Sequence, residues 1–129
     1  MLVSAQRPCA EGQHDGSNKV KRETKDMKVY KFGGASVRNA EGVRNLRNII
    51  DDEQNLFIIV SAMGKTTNAL ERVFEGVQRG DREKSAAEIA RLREYHAAII
   101  DDLWHGPTRL ERVEALFAEL DRVAAETQY

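Results

Sequence analysis

The stretch VYKFGGASV, Val29 to Val37, places a lysine inside a strand-like run, just ahead of two glycines and a serine. Val or Ile would make a better strand at position 31, so a cation there calls for a chemical reason. Gly33 and Gly34 carry no Cβ, and their N–H groups can come close to a ligand. Ser36 adds a hydroxyl at the start of the next element. A lysine, two free amides and a hydroxyl suit a small anion, and phosphate is the best candidate. By itself a glycine pair after a strand is more often only a tight turn. The lysine and the serine shift that balance.

A second candidate, SAMGKTTN from Ser61 to Asn68, contains the GKT that ends a phosphate-binding P-loop. The full pattern needs a further glycine five residues before Gly64, and Ile59 stands there. The P-loop reading therefore fails, and Lys65 is a loop or surface lysine. Ser61 and Thr67 are more informative. Their hydroxyls flank a loop that leads from a strand end to a helix start, where backbone amides favour carboxylate or phosphate. The plainer reading is that Thr66 or Thr67 merely caps the helix. His14, His96 and His105 do not cluster at ligand spacing, and no metal site is assigned. His96, beside Tyr95, reads as a packing or surface residue. Asp51, Asp52, Asp101 and Asp102 read as solvent-facing helix ends.

The elements around these motifs follow from periodicity. KVYKF reads as a buried strand. Asn39 is a plausible N-cap for a helix to about Asp52, with Val43, Leu46, Ile49 and Ile50 on one face. NLFIIVSA is a second strand, apolar without alternation, as expected where a parallel sheet is covered on both faces. A strand–helix–strand unit of this kind brings both strand ends, and so both glycine loops, to one edge of the sheet. A helix from Thr67 to Gly80 is expected to bury Leu70, Val73, Phe74 and Val77, with Gly80 as its stop. A longer one runs from about Asp81 to Trp104 with Ile89, Leu92, Ile99, Ile100 and Leu103 at helical spacing. HGPT then breaks the chain. Thr108 and Glu111 have capping-box spacing ahead of a last helix, with Leu110, Val113, Leu116, Phe117, Leu120 and Val123 inward.

Bulk properties narrow the function classes. The chain has 129 residues, 41% of them hydrophobic, which is enough for one domain with a real core. Its 20 basic and 21 acidic side chains leave a formal charge of -1, so composition points to no nucleic acid and no anionic membrane. Apolar runs such as LFIIV are too short to span a bilayer. Cys9 is the single cysteine, which excludes an internal disulfide and makes a reducing cytoplasm the default compartment. Residues 1–26 mix Gly, Ser, Gln, Asn and both charge signs without an apolar period, and are expected to be a disordered extension. Met27, directly before the first strand, is a candidate start.

KVYKFGGASV followed by FIIVSAMGKTTNAL resembles the N-terminal signature of aspartate kinase, in the amino-acid kinase family. The first block is similar to that family's Lys-Phe-Gly-Gly-x-Ser pattern, with Ala35 where Thr or Ser is commoner. The second is similar to its Val-Ser-Ala-Met-Gly-x-x-Thr-Asn block, with Lys65 and Thr66 at the variable places. The helical stretch to Tyr129 also resembles a helical insertion of the family. The resemblance implies the N-terminal part of a three-layer α/β/α sandwich with parallel strands, followed by a helical segment. It implies transfer of the ATP γ-phosphoryl group to the β-carboxylate of L-aspartate, with Mg2+ accompanying ATP and a homo-oligomer for the full-length enzyme. By family match Lys31 would neutralise the transferring group, Gly33 and Gly34 would donate amides to it, and Ser36, Ser61 and Thr67 would hold phosphate or aspartate.

Two strands make too narrow a parallel sheet, so residues 27–129 are expected to be a truncated part of the catalytic domain, the amino-acid-substrate part, inactive alone. A parent that is a bifunctional aspartate kinase and homoserine dehydrogenase fits equally. From a different class, the helices from Thr67 onward could form a non-catalytic partner-binding module. A family kinase acting on glutamate, carbamate or a nucleotide is disfavoured by the VSAMGKTTN block.

Overall fold

A computed structural model describes residues 26–104 and 110–128. The expectations for residues 1–25, and for the HGPT break and the Thr108 half of its capping box, lie outside the described residues. Element order is β1 (Lys28–Phe32), α1 (Ala40–Ile50), β2 (Leu56–Val60), α2 (Thr66–Gln78), α3 (Arg82–Leu103) and α4 (Leu110–Glu126). The mixed α/β architecture with parallel strands agrees with the expected fold class.

β1 and β2 pair in parallel, Lys28 opposite Leu56 through Phe32 opposite Val60, so both strands end at the same edge. The connecting helix starts where the sequence places it. Asn39 has an extended backbone, and its side chain accepts a hydrogen bond from the Gly42 N–H at 2.9 Å. That bond satisfies one of the amides a helix start leaves unpaired. Val43, Leu46, Ile49 and Ile50 are half-buried, and Ala40 is buried. Arg44 on α1 donates to both the carbonyl and the carboxylate of Asp102 at the end of α3. Asp102 is therefore an exposed tie between helices rather than a purely solvent-facing acid.

The sheet is less covered than its composition predicts. Phe32 is buried, but Val29 and Phe57 are more than half exposed, and Ile58, Ile59 and Val60 are exposed too. The four described helices pack mainly on one another, so most of both strand faces stays open among the described residues.

The main core lies between α2, α3 and α4, where Ala69, Val73, Ile89, Leu92 and Phe117 cluster. Gly76 lets α2 and α3 approach closely, since a Cβ there would run into the Ser85 hydroxyl. The turn between them is a Schellman closure. The Asp81 N–H reaches the Gly76 carbonyl, the Gly80 N–H reaches Val77, and Gly80 takes φ +72°. Asp81 then caps α3 by accepting from the Lys84 N–H.

Two inward assignments need correction. Leu70 and Phe74 are exposed, and the buried face of α2 is Ala69, Val73 and Gly76. On α4, Phe117 is buried but Leu116 is 72% exposed and Val123 is also exposed, while Ala124 packs on the core. In both helices the apolar stripe is wider than the contact: on α2 the seam is Ala69, Val73 and Gly76, and on α4 it is Phe117 with Val113, Leu120 and Ala124. No helix among the described residues is long and apolar enough to cross a membrane.

Candidate active site

Lys31 is the penultimate residue of β1. The alternation of a strand puts Tyr30 and Phe32 on one face, where their rings meet edge to face, and Lys31 on the other. Its side chain is exposed and takes part in none of the ion pairs of the described residues. An ammonium group held this way, at the end of a strand and without a carboxylate partner, remains available to a ligand.

After Phe32 the chain turns at once. The Ser36 N–H bonds to the Gly33 carbonyl at 3.0 Å, closing a four-residue turn, and buried Val37 anchors its far side. The other loop comes directly alongside. The Ser61 N–H bonds to the Phe32 carbonyl at 2.9 Å, extending the parallel ladder, and the Gly64 N–H bonds to the Gly34 carbonyl, also at 2.9 Å. The two glycine motifs thus form one hydrogen-bonded surface at the sheet edge, as the parallel arrangement predicts.

The two glycines of the pair serve different needs. A Cβ on Gly34 would lie 2.7 Å from the Ala62 carbonyl oxygen and 2.8 Å from that of Gly64, so the close approach of the loops excludes any side chain there. A Cβ on Gly33 would meet nothing within 4 Å, and Gly33 does not have a left-handed backbone. Neither packing nor backbone strain requires a glycine at position 33. The open space above its backbone would let a ligand come close to it. The Gly33 and Gly34 N–H groups donate to no backbone carbonyl among the described residues.

Ser36 is half-buried, and Ser61 and Thr67 are exposed at the loop and the first turn of α2. The capping alternative for the threonines is not met. The N-cap position of α2 is Lys65, with no side-chain cap, and the Thr66 hydroxyl donates back to the Met63 carbonyl. The Thr67 hydroxyl makes no hydrogen bond among the described residues.

One residue that positions the site escaped the sequence reading. Tyr95, on α3, donates its hydroxyl to the Arg38 carbonyl at the end of the first loop. The same hydroxyl lies under Gly64, where a Cβ would be 2.6 Å away. A single side chain therefore supports both loops from below, and burial pushes its phenol pKa up. The available signal was its spacing of three from Leu92 on the apolar side of α3, which marks a packing position but not its partner. His96 is a packing residue, with its ring edge-on to Tyr95 and Phe117.

Among the described residues no group of three or more His, Cys, Asp or Glu is arranged to hold a metal ion. A magnesium ion carried on nucleotide phosphates would need no such cluster. The loop carries a cation and amides, which suit the phosphates themselves.

Comparison with known proteins agrees with these motifs. The family model for the amino acid kinase family matches residues 26–124. An aspartokinase of Chlamydia trachomatis is 35% identical over 109 residues, which is 78% of this chain and 24% of that protein. Aspartokinase 2, chloroplastic, of Arabidopsis thaliana is 37% identical over 65% of this chain and 16% of its own length. A bifunctional aspartokinase/homoserine dehydrogenase, chloroplastic, of Daucus carota is 31% identical over 64% of this chain and 10% of its own length. The chain spans a quarter or less of the length of these relatives.

Proposed function

The chain belongs to the amino acid kinase family, and on that premise we propose that it carries the phosphoryl and acceptor loops of a kinase that phosphorylates L-aspartate on its β-carboxylate with ATP. The product is 4-phospho-L-aspartate. The observation that carries this reading is the hydrogen bond between Gly64 and Gly34, which joins the lysine-glycine loop to the serine-threonine loop. Donor and acceptor groups must meet in line, and that requires their two loops to be one surface.

The chemistry asks for charge stabilisation and alignment more than for a base. A carboxylate is already ionised near neutral pH. It can attack the γ-phosphorus directly, with ADP leaving, and no proton has to be removed from the nucleophile. Lys31 would offset the charge on the transferring group, and the Gly33 and Gly34 amides would donate to its oxygens. Ser36 would add a hydroxyl to the phosphates. Ser61 and Thr67 would hold aspartate in place. Magnesium would arrive with ATP as part of that substrate. Residues 27–129 are accordingly read as the amino-acid-substrate part of the catalytic domain.

The test is aspartate-dependent release of ADP. It is measured on the 129-residue chain and on a chimera in which residues 26–124 replace the matching segment of the Chlamydia trachomatis aspartokinase. The chimera is expected to phosphorylate aspartate. The 129 residues alone are expected to give no signal, since they span 24% of that relative. In the chimera Lys31→Ala should lower kcat by about 10²–10³, the scale for losing one electrostatic donor. An unchanged kcat with a raised KM for aspartate would instead make Lys31 a substrate-binding residue and overturn the assigned mechanism.

A further inference from the structure

On the α3 side of the two loops lies a cleft of about 570 Å³ that the phosphoryl-transfer reading does not use. Its walls come from the first loop, the second loop with the start of α2, and α3. Arg38, Lys65, Arg72 and Arg91 bring four positive charges to it, against the single carboxylate of Glu88. That carboxylate is buried and shared. Arg72 donates to one oxygen at 3.1 Å and Arg91 to the other at 2.6 Å. Burial by itself would raise the Glu88 pKa, but the two guanidiniums hold it below the ordinary carboxylate range. Arg38 and Lys65 are exposed and take part in none of the ion pairs of the described residues. The floor is apolar, formed by Ala69, Leu92 and the Tyr95 ring.

A local excess of three positive charges above an apolar floor favours an anion, and the cleft has the features of a small-molecule site: a concave apolar body with a few convergent polar groups. We propose that this cleft binds a small organic dianion with a ring or short apolar body, its charged end at Arg38 and Lys65 and its body against Leu92 and Tyr95. Phosphate monoesters and dicarboxylates share that chemistry. Arg38 belongs to the first loop and Lys65 to the second, so one ligand would bridge the two segments that form the candidate active site. Such a ligand would brace their geometry from behind and act as an effector rather than a substrate. The proposal does not depend on the identity of the phosphoryl acceptor, and neither Arg38 nor Lys65, which would hold the charge, is assigned a role in that reaction.

The experiment is calorimetric titration of the 129-residue chain with phenyl phosphate, phthalate and phenol. Phenyl phosphate or phthalate, or both, should bind saturably in the Lys31→Ala chain, whose phosphoryl loop has lost its cation, as well as in the parent chain, and their comparison separates the two sources of the dianion. Phenol, which lacks the charge, should not bind. The double variant Arg38→Ala/Lys65→Ala should weaken binding by about tenfold or more, the scale for losing charge-assisted contacts. Lys31→Ala should leave it unchanged, which keeps this site distinct from the phosphoryl loop. Amide shifts mapped by NMR on the unaltered chain should centre on Leu92, Tyr95 and Thr66, so the test holds even if the double variant folds poorly. Absence of saturable dianion binding, equal binding of phenol, loss of binding in Lys31→Ala, or shifts centred elsewhere would overturn the proposal.

Discussion

Replacing each glycine of the pair separately distinguishes a fold requirement from a ligand requirement. In Gly34→Ala the new Cβ lies 2.7 and 2.8 Å from two backbone oxygens, and ordinary contact begins at 3.4 Å. The second loop must retreat by about 0.6–0.7 Å to accept it. Both obstructing atoms are backbone and cannot rotate away, and the retreat stretches the Gly64 to Gly34 hydrogen bond. Overpacking of this kind costs about 1–3 kcal/mol. The lower unfolded-state entropy of alanine returns about 0.4–1 kcal/mol of that. A net loss of about 1–2 kcal/mol lowers the melting temperature of a domain of this size by roughly 4–15 °C. In the chimera a shift of this size between reacting groups should cost up to about 10²-fold in kcat. Gly33→Ala meets open space, so its melting temperature should hold or rise slightly. Its kcat/KM for ATP should nevertheless fall by about tenfold or more, because the methyl group keeps the phosphate away from the backbone amides. Thermal unfolding by circular dichroism and coupled ADP release measure the two effects. An unchanged melting temperature in Gly34→Ala would refute the clash. Full activity in Gly33→Ala would show that Gly33 only makes a turn.

Thr67→Ala in the chimera should raise KM for aspartate more than it lowers kcat, the pattern of lost ground-state binding, and initial-rate kinetics at varied aspartate would check it. Tyr95→Phe removes the bond to the Arg38 carbonyl and should cost about 0.5–1.5 kcal/mol in urea unfolding. Unaltered stability there would mean that Tyr95 supports the loops by packing alone. Because the folded Glu88 pKa lies below its unfolded value near 4.3, the unfolded chain takes up that proton first. The stability Glu88 contributes is therefore complete above about pH 5 and is lost as pH falls through its lower folded value. Unfolding at pH 7 and pH 3 should show a smaller acid loss in Glu88→Gln than in the parent chain, and equal losses would refute the assignment.

Much of the local structure is legible in the residues themselves, because local interactions decide it. Asn39 could be read as a cap and Gly80 as a stop because each satisfies backbone groups within a few residues of itself. The two strands and their shared edge follow from short apolar runs on either side of one helix, and Lys31 is conspicuous because it puts a charge inside the first of them. Tertiary structure decided whatever depends on residues far apart in the chain. Periodicity gives a helix an apolar side but not the part of it that meets a partner, so Leu70, Phe74, Leu116 and Val123 read as inward although adjacent residues such as Ala69, Val73, Phe117 and Ala124 form the seams. The adjacent glycines look alike in sequence. Only the approach of Ala62 and Gly64, some thirty residues on, makes one of them a packing requirement and leaves the other free. Tyr95 carried no local sign of its role, since the carbonyl it holds and the glycine above it come from two other segments that only the folded chain brings together.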